Sequence, residues 1–139
     1  MADFWQWKGD SILGIGYVGL LKGSPISVIT ATLTATLTAD TTYTSSETNI
    51  VGFNSVLAEF TISSAGLTSK LNMVGAMSSG GTMVALIDKD TSAQMTATFT
   101  ANKTVQFKGL PDYLGFLLTL SAGMTAGSSA TLKILPLNL

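Results

Sequence analysis

Few side chains in this sequence could do chemistry, because its 139 residues include no histidine and no cysteine. Without histidine, a serine or threonine nucleophile lacks its usual base, and no Ser-x-x-Lys spacing offers a lysine instead. Without cysteine there is no thiolate nucleophile, no disulfide and no zinc–thiolate site. The residue types therefore predict a protein that is not an enzyme.

Asp88 and Asp90 could offer two carboxylates to a cation, since they stand close together in the stretch DKD. A calcium ion needs roughly six to eight oxygen ligands, and no nearby cluster of acids completes that set. We interpret DKD as the solvent-exposed turn of a hairpin and expect no metal ion there.

The stretch GIGYVG matches the dinucleotide-binding pattern G-x-G-x-x-G at Gly14, Gly16 and Gly19. In a dinucleotide site these glycines lead from a strand into a helix whose N-terminus receives the pyrophosphate. Here the residues LLKGSP follow, which cannot form that helix, and no βαβ unit comes after them. We therefore predict that the chain binds no cofactor.

Sites for a glycan or a nucleic acid have little to build on. Tyr43 and Glu47, in TTYTSSETN, are the candidate pair for a glycan, which would need an aromatic ring beside an acid on an exposed loop. The seven basic residues are all lysine. Because arginine supplies most bidentate contacts to phosphate and guanine, its absence argues against nucleic-acid binding.

The first residues show no targeting signal. The stretch MADFWQWKGD carries Asp3 and Asp10 and no basic region, unlike a secretory signal. The apolar stretch from Ile12 to Leu21 is too short and too rich in glycine to cross a bilayer. We expect a protein made in the cytoplasm of its host that does not enter a membrane.

The composition predicts an all-β fold. Only 11% of the residues are charged, whereas 46% are hydrophobic. Hydroxyl groups on 20 threonines and 15 serines supply much of the polarity. Threonine is β-branched and favours strands. Low charge also weakens repulsion between molecules, which suggests a surface partly covered by neighbours.

Alternating apolar and polar residues mark about eight strands, a spacing typical of a β-sandwich or a jelly-roll-like barrel. The longest alternation, VITATLTATLTAD, predicts a first strand that is paired on both sides or covered by a neighbouring subunit. The segment Met83–Ile87 is apolar on both faces, which is typical of a central strand. The predicted strands are residues 26–39, 56–62, 71–77, 83–87, 94–100, 104–108, 113–120 and 131–137.

Residues 1–26 differ from the sandwich domain predicted for residues 27–139. They combine five glycines with both tryptophans of the chain, and neither a helical nor a strand period persists. We predict an extended arm that packs either on its own sandwich or on a neighbouring subunit. The predicted docking residues are Phe4, Trp5, Trp7, Ile12, Leu13, Ile15 and Tyr17.

The C-terminal third, VQFKGLPDYLGFLLTLSAGMTAGSSATLKILPL, combines a G-L-P-x-Y turn, a strand, a loop of small residues and a terminal strand. The turn has Gly109, Leu110, Pro111 and Tyr113, and the apolar run 114–120 follows it. In these features it resembles the last part of small virion proteins of tailed bacteriophages. This chain has Asp112 where such proteins often carry arginine.

The resemblance implies a capsid decoration (cement) protein with a jelly-roll-like β-sandwich. Such proteins are often homotrimers that bind the major capsid protein across the seams between capsomers, with an arm reaching a neighbour. They would act on the capsid surface without a small-molecule substrate. The alternative is a tail or baseplate module of the same architecture that binds a host glycan.

Overall fold

The computed structural model describes residues 23–63 and 67–138, which form ten β-strands. The docking residues predicted in the arm and the glycine pattern at 14–19 lie outside the described residues. The strands are β1 (Ile26–Thr32), β2 (Thr41–Thr44), β3 (Thr48–Asn49), β4 (Ser55–Ile62), β5 (Ser69–Ala76), β6 (Val84–Ala85), β7 (Thr96–Phe99), β8 (Lys103–Lys108), β9 (Tyr113–Leu120) and β10 (Ser129–Leu137).

The strands form two antiparallel sheets that pack face to face as a sandwich, so the all-β prediction is confirmed. The four-stranded sheet has the order β1-β10-β4-β8. The six-stranded sheet is built on the central pair β9 and β5. Strands β2 and β3 pair with the free edge of β9, and β6 and β7 pair with the free edge of β5. No helix in the described part of the chain is long and apolar enough to cross a membrane.

The core consists of the side chains that alternate inward from both sheets. In β9 these are Leu114, Phe116, Leu118 and Leu120, which are all fully buried. Across the layer, Phe60 of β4 stacks on Phe99 of β7 with ring centroids 4.5 Å apart and planes 12° apart. Because β4 and β7 belong to different sheets, this stack joins the two layers.

The predicted first strand over residues 26–39 is wrong in its second half, because β1 ends at Thr32. Thr32 faces Ser129, the first residue of β10, so the pairing partner ends there. Beyond it, the backbone of Leu33 exchanges hydrogen bonds with Ser128 and Gly127, and that of Leu37 with Met124 and Gly123. Two separate contacts thus replace a continuous ladder.

The sequence pattern also predicts that this strand is paired on both sides or covered by a neighbouring subunit. Within the described residues β1 pairs with β10 alone and forms one edge of its sheet. Pairing on its other side and cover by a neighbouring subunit stay predictions.

Two further predictions are corrected at the edges of the six-stranded sheet. Residues 83–87 do not form a central strand: only Val84–Ala85 is a strand, it lies at the edge of the sheet, and Val84 is 57% exposed. Conversely, TTYTSSETN (residues 41–49), treated in the sequence analysis as an exposed loop, contains β2 and β3, whose threonines pair with β9. The prediction of 113–120 is confirmed to the residue.

Candidate contact surfaces

The DKD stretch forms the hairpin turn expected from its sequence. Ile87 and Gln94 form an isolated antiparallel bridge that closes the turn. Inside it, an Asp88 carboxylate oxygen accepts hydrogen bonds from the backbone N–H groups of Asp90, at 2.7 Å, and Thr91, at 3.3 Å. Asp88 therefore stabilises the turn. In residues 23–63 and 67–138, no cluster of three or more potential ligands could hold a metal ion.

Tyr43 and Glu47, the candidate pair for a glycan, make packing contacts and hydrogen bonds within the sandwich. The Tyr43 ring is partly buried and packs against the core. The two carboxylate oxygens of Glu47 accept hydrogen bonds from the Ser79 hydroxyl, at 2.9 Å, and from the backbone N–H of Gly80, at 2.8 Å. Glu47 thereby fixes the turn after β5, and the pair does not form an open aromatic platform beside an unoccupied acid.

The G-L-P-x-Y turn connects β8 to β9 and locks that end of the sandwich. Gly109 has a φ of +72°, which an L side chain rarely adopts. Leu110 is buried and donates its N–H to the Asn54 carbonyl at 2.9 Å. The Asp112 carbonyl accepts the N–H of Ile50 at 2.8 Å. The motif that carries the resemblance therefore has a structural role here.

An apolar surface lies at the end of the sandwich beside this turn. We call it the end surface and define it by Met77, Val84, Leu86, Ile87 and Pro111. Met77 is 84% exposed, and Val84 and Ile87 are exposed by more than half. A depression of about 480 Å³ is lined by Met77, Val84, Leu86 and Pro111. A second one of about 310 Å³, which reaches Ile87, adjoins it at Gly109.

A second apolar feature interrupts the outer face of the four-stranded sheet. We call it the outer groove; its volume is about 220 Å³ and it is lined by Pro25, Leu57, Glu59, Thr104 and residues 133–135. Leu57 and Leu135 are directly opposite each other on β4 and β10. Lys133 and Glu59 are directly opposite each other two residues further along the same face, where a pair of opposite charges is favourable.

Hydroxyl groups cover the same outer face beyond the outer groove. Thr30, Thr131 and Thr61 form a row across β1, β10 and β4. The hydroxyls of Thr61 and Thr131 are hydrogen-bonded to each other. The two leucines of the outer groove therefore form an apolar patch beside a row of threonines on the same face.

The described chain begins beside the outer groove. The N–H of Gly23 donates a hydrogen bond to the carbonyl of Pro136 in β10 at 2.8 Å. Gly23 also lies against the Phe53 ring, since a Cβ added at Gly23 would come within 3.2 Å of that ring. Residues 1–22, with all seven predicted docking residues, thus join the sandwich at this point.

Sequence reasoning identified neither apolar surface. The signal for the outer groove was present, because Leu57 and Leu135 occupy outward positions between inward residues of β4 and β10. For the end surface the pattern is misleading: the apolar run 83–87 predicts a buried strand, whereas these residues lie at the exposed edge of a sheet.

Comparisons with known proteins give a distant structural likeness. The fold is similar to the crystal structure of the SPBc2 prophage-derived protein YomS, with a TM-score of 0.42 and 13% sequence identity. The likeness covers 84% of this chain and 96% of that chain. No protein-family model matches the sequence, and no curated protein matches it either.

Proposed function

We propose that this chain is a structural protein of a phage virion that decorates the capsid and stabilises it through subunit contacts. The observation that carries the proposal is the end surface, where Met77, Val84 and Ile87 leave more than half of their side-chain area in water. Contiguous exposed apolar patches of this kind mark interaction surfaces. The resemblance of the G-L-P-x-Y region to small phage virion proteins supplies the virion context.

The end surface suits association with protein more than binding of a small molecule. The depression beside Met77 and Val84 is lined mainly by apolar side chains. The second one has the apolar side chains of Ile87 and Met95 among charged and polar residues, so aliphatic contact is concentrated around the first depression and around Ile87. A protein surface that covers them gains about 1.5–3 kcal/mol for each large side chain that becomes buried. Part of that gain is lost to ordering on association, so a single contact is weak.

Decoration of a shell turns weak contacts into strong ones by repetition. Each copy would contact the major capsid protein and its neighbouring copies, and a homotrimer would match the three-fold axes of a shell. The arm adds Phe4, Trp5 and Trp7 as further anchors. Contacts made together raise the overall avidity far above that of each one. The protein is made in the host cytoplasm and acts on the capsid surface.

Binding to capsids tests the proposal. Capsids of the phage that encodes the chain, assembled without it, are mixed with the full chain, sedimented, and heated until DNA is released. We expect co-sedimentation and a higher release temperature. Because both tryptophans lie in the arm, a blue shift of tryptophan emission would report burial of the arm on the shell.

A matched pair of variants identifies the surface used. Met77→Ser combined with Val84→Thr removes apolar area from the end surface and should weaken capsid binding at least tenfold. Val51→Thr is the control, because the 53% exposure of Val51 is similar to the 57% exposure of Val84, and Val51 does not line either depression. Absence of capsid binding would overturn the proposal, and binding to host glycans instead would establish the tail-module alternative.

A further inference from the structure

The outer groove is a built surface with no described segment in it. Its floor is the pair Leu57 and Leu135, held on β4 and β10, which are the two central strands of their sheet. Both leucines are only partly buried. Pro25 forms one wall, so the chain itself enters the groove at the point where its described part begins.

We propose that the apolar stretch Ile12–Leu21 of the same chain packs into the outer groove. The inference narrows the proposed function: it assigns Ile12, Leu13, Ile15 and Tyr17 to the chain's own sheet. Phe4, Trp5 and Trp7 precede this stretch and stay available to a neighbouring subunit. Only that role of these three residues rests on the proposed function.

The stretch Ile12–Leu21 is long enough, and close enough in sequence to Gly23, to reach the outer groove of its own molecule. The stretch Ile12–Leu21 ends two residues before Gly23, whose N–H is bonded to Pro136 at the end of β10. The groove extends over neighbouring strands that are about 4.8 Å apart, roughly 10–15 Å in all. Ten extended residues span about 33 Å, so the stretch covers the groove without leaving its own molecule.

Chemistry favours the same occupant. The stretch Ile12–Leu21 contains no charged residue and seven large apolar or aromatic ones. Lys133 and Glu59 are the charged residues of the groove. They are directly opposite each other on β10 and β4, so the occupant does not have to supply a compensating charge. An uncharged apolar segment would cover the leucines and leave this charged pair at the edge of the groove.

A pair of engineered cysteines tests the placement in the full chain. Since the sequence contains no native cysteine, Ile15→Cys with Leu57→Cys gives a single possible disulfide within one molecule. The control is Ile15→Cys with Thr30→Cys, because Thr30 is exposed on the same outer face but outside the groove. We expect the Leu57 pair to form an intramolecular disulfide at least tenfold faster than the Thr30 pair.

Two outcomes overturn the inference. Equal rates for the two pairs would mean that the stretch does not favour the groove. Disulfide-linked dimers without intramolecular product would mean that a second copy of the chain supplies the stretch. Capsids are absent from this test, so its failure leaves the decoration proposal standing, and failure of capsid binding leaves this inference standing.

Hydrogen exchange provides a readout that needs no cysteine. Amides of residues 12–21 should be protected in the unmodified chain and should exchange at least tenfold faster in Leu57→Thr/Leu135→Thr. Threonine keeps the strand preference at both positions, and unchanged protection of β9 would verify that the variant is folded. Equal exchange of residues 12–21 in the two folded proteins would contradict the proposal.

Discussion

The two sheets of the sandwich are built differently. The four-stranded sheet consists of strands of 7, 9, 8 and 6 residues that pair along most of their length. The six-stranded sheet has two central strands of 8 residues, flanked by strands of only two or four. The four-stranded sheet is therefore paired continuously, whereas the edges of the six-stranded sheet consist of short, separate strands. We call the edge that contains β6 the rim.

The difference locates the two apolar surfaces. On the continuous sheet, apolar side chains face outward in the outer groove, on the two central strands, which are paired with each other along most of their length. On the interrupted sheet, they project from the rim around β6, at the end surface, where little backbone pairing holds them. A groove over fully paired strands, beside the point where the described residues begin, suits docking within one molecule. An exposed rim suits contact with another molecule.

The largest effect is expected where the two sheets meet. Phe60→Ala and Phe99→Ala should each lower the free energy of unfolding by about 3–5 kcal/mol, since both rings are fully buried. Because the rings stack on each other, the double variant should lose about 0.5–1.5 kcal/mol less than the sum. Urea unfolding of the four proteins measures this coupling. Strict additivity would mean that the stack does not join the sheets.

A glycine substitution probes the packing under the rim. A Cβ at Gly75 would lie 2.6 Å from the Pro111 ring and 3.1 Å from the Tyr113 carbonyl, so Gly75→Ala should cost about 1–3 kcal/mol. Gly115→Ala is the matched variant on the paired strand β9. Its Cβ would meet only the Val74 side chain at 2.8 Å, with the Met83 sulfur next at 3.9 Å. Because Val74 can rotate, we expect a smaller loss, and the reverse order would contradict this view of the rim.

Buried serines give a smaller effect of opposite sign in the two sheets. Ser69, in β5, is fully buried and its hydroxyl has no hydrogen-bond partner among residues 23–63 and 67–138, so Ser69→Ala should raise the free energy of unfolding by about 1 kcal/mol. Ser55, in β4, donates to the Asn54 side chain at 2.9 Å, and Ser55→Ala should lower it by about the same amount. Thermal unfolding of both variants measures these two changes. A lower free energy of unfolding in Ser69→Ala would refute the prediction for Ser69.

The smallest effect on folding is expected at the rim itself. Met77→Ser with Val84→Thr should change the free energy of unfolding by no more than about 0.5 kcal/mol, because both side chains are exposed. Light scattering should nevertheless show weaker self-association than in the unmodified chain, for which we expect a trimer. A monomeric unmodified chain would remove self-association from the role of the end surface.

Alternation in the sequence predicted which faces are buried better than where strands end. Residues 113–120 were assigned correctly because their inward side chains are all large and both neighbours of β9 are present. Residues 33–39 continue the alternation of β1, and Leu33 is indeed buried. They are not a strand, because the glycine-containing turns at 123 and 127 leave no continuous partner. Strand length depends on the partner, which a local pattern does not contain.

The contact surfaces were harder to predict than the core. An apolar run such as 83–87 has the same sequence pattern in a central strand and at an exposed rim, and only the arrangement of the other strands distinguishes the two. The outer groove depends on Leu57 and Leu135, which are 78 positions apart in sequence and become neighbours through the register of β4 and β10.

The free edges of the four-stranded sheet limit how copies of this chain could polymerise. Strand β8 begins and ends with lysine, which opposes the addition of another strand at that edge. Strand β1 has no charged side chain along its length. Edge pairing between copies through this sheet would therefore join β1 to β1, antiparallel about a two-fold axis. That contact would leave only the lysine-flanked β8 edges at the two ends of the joined sheet, which opposes its extension into a fibre.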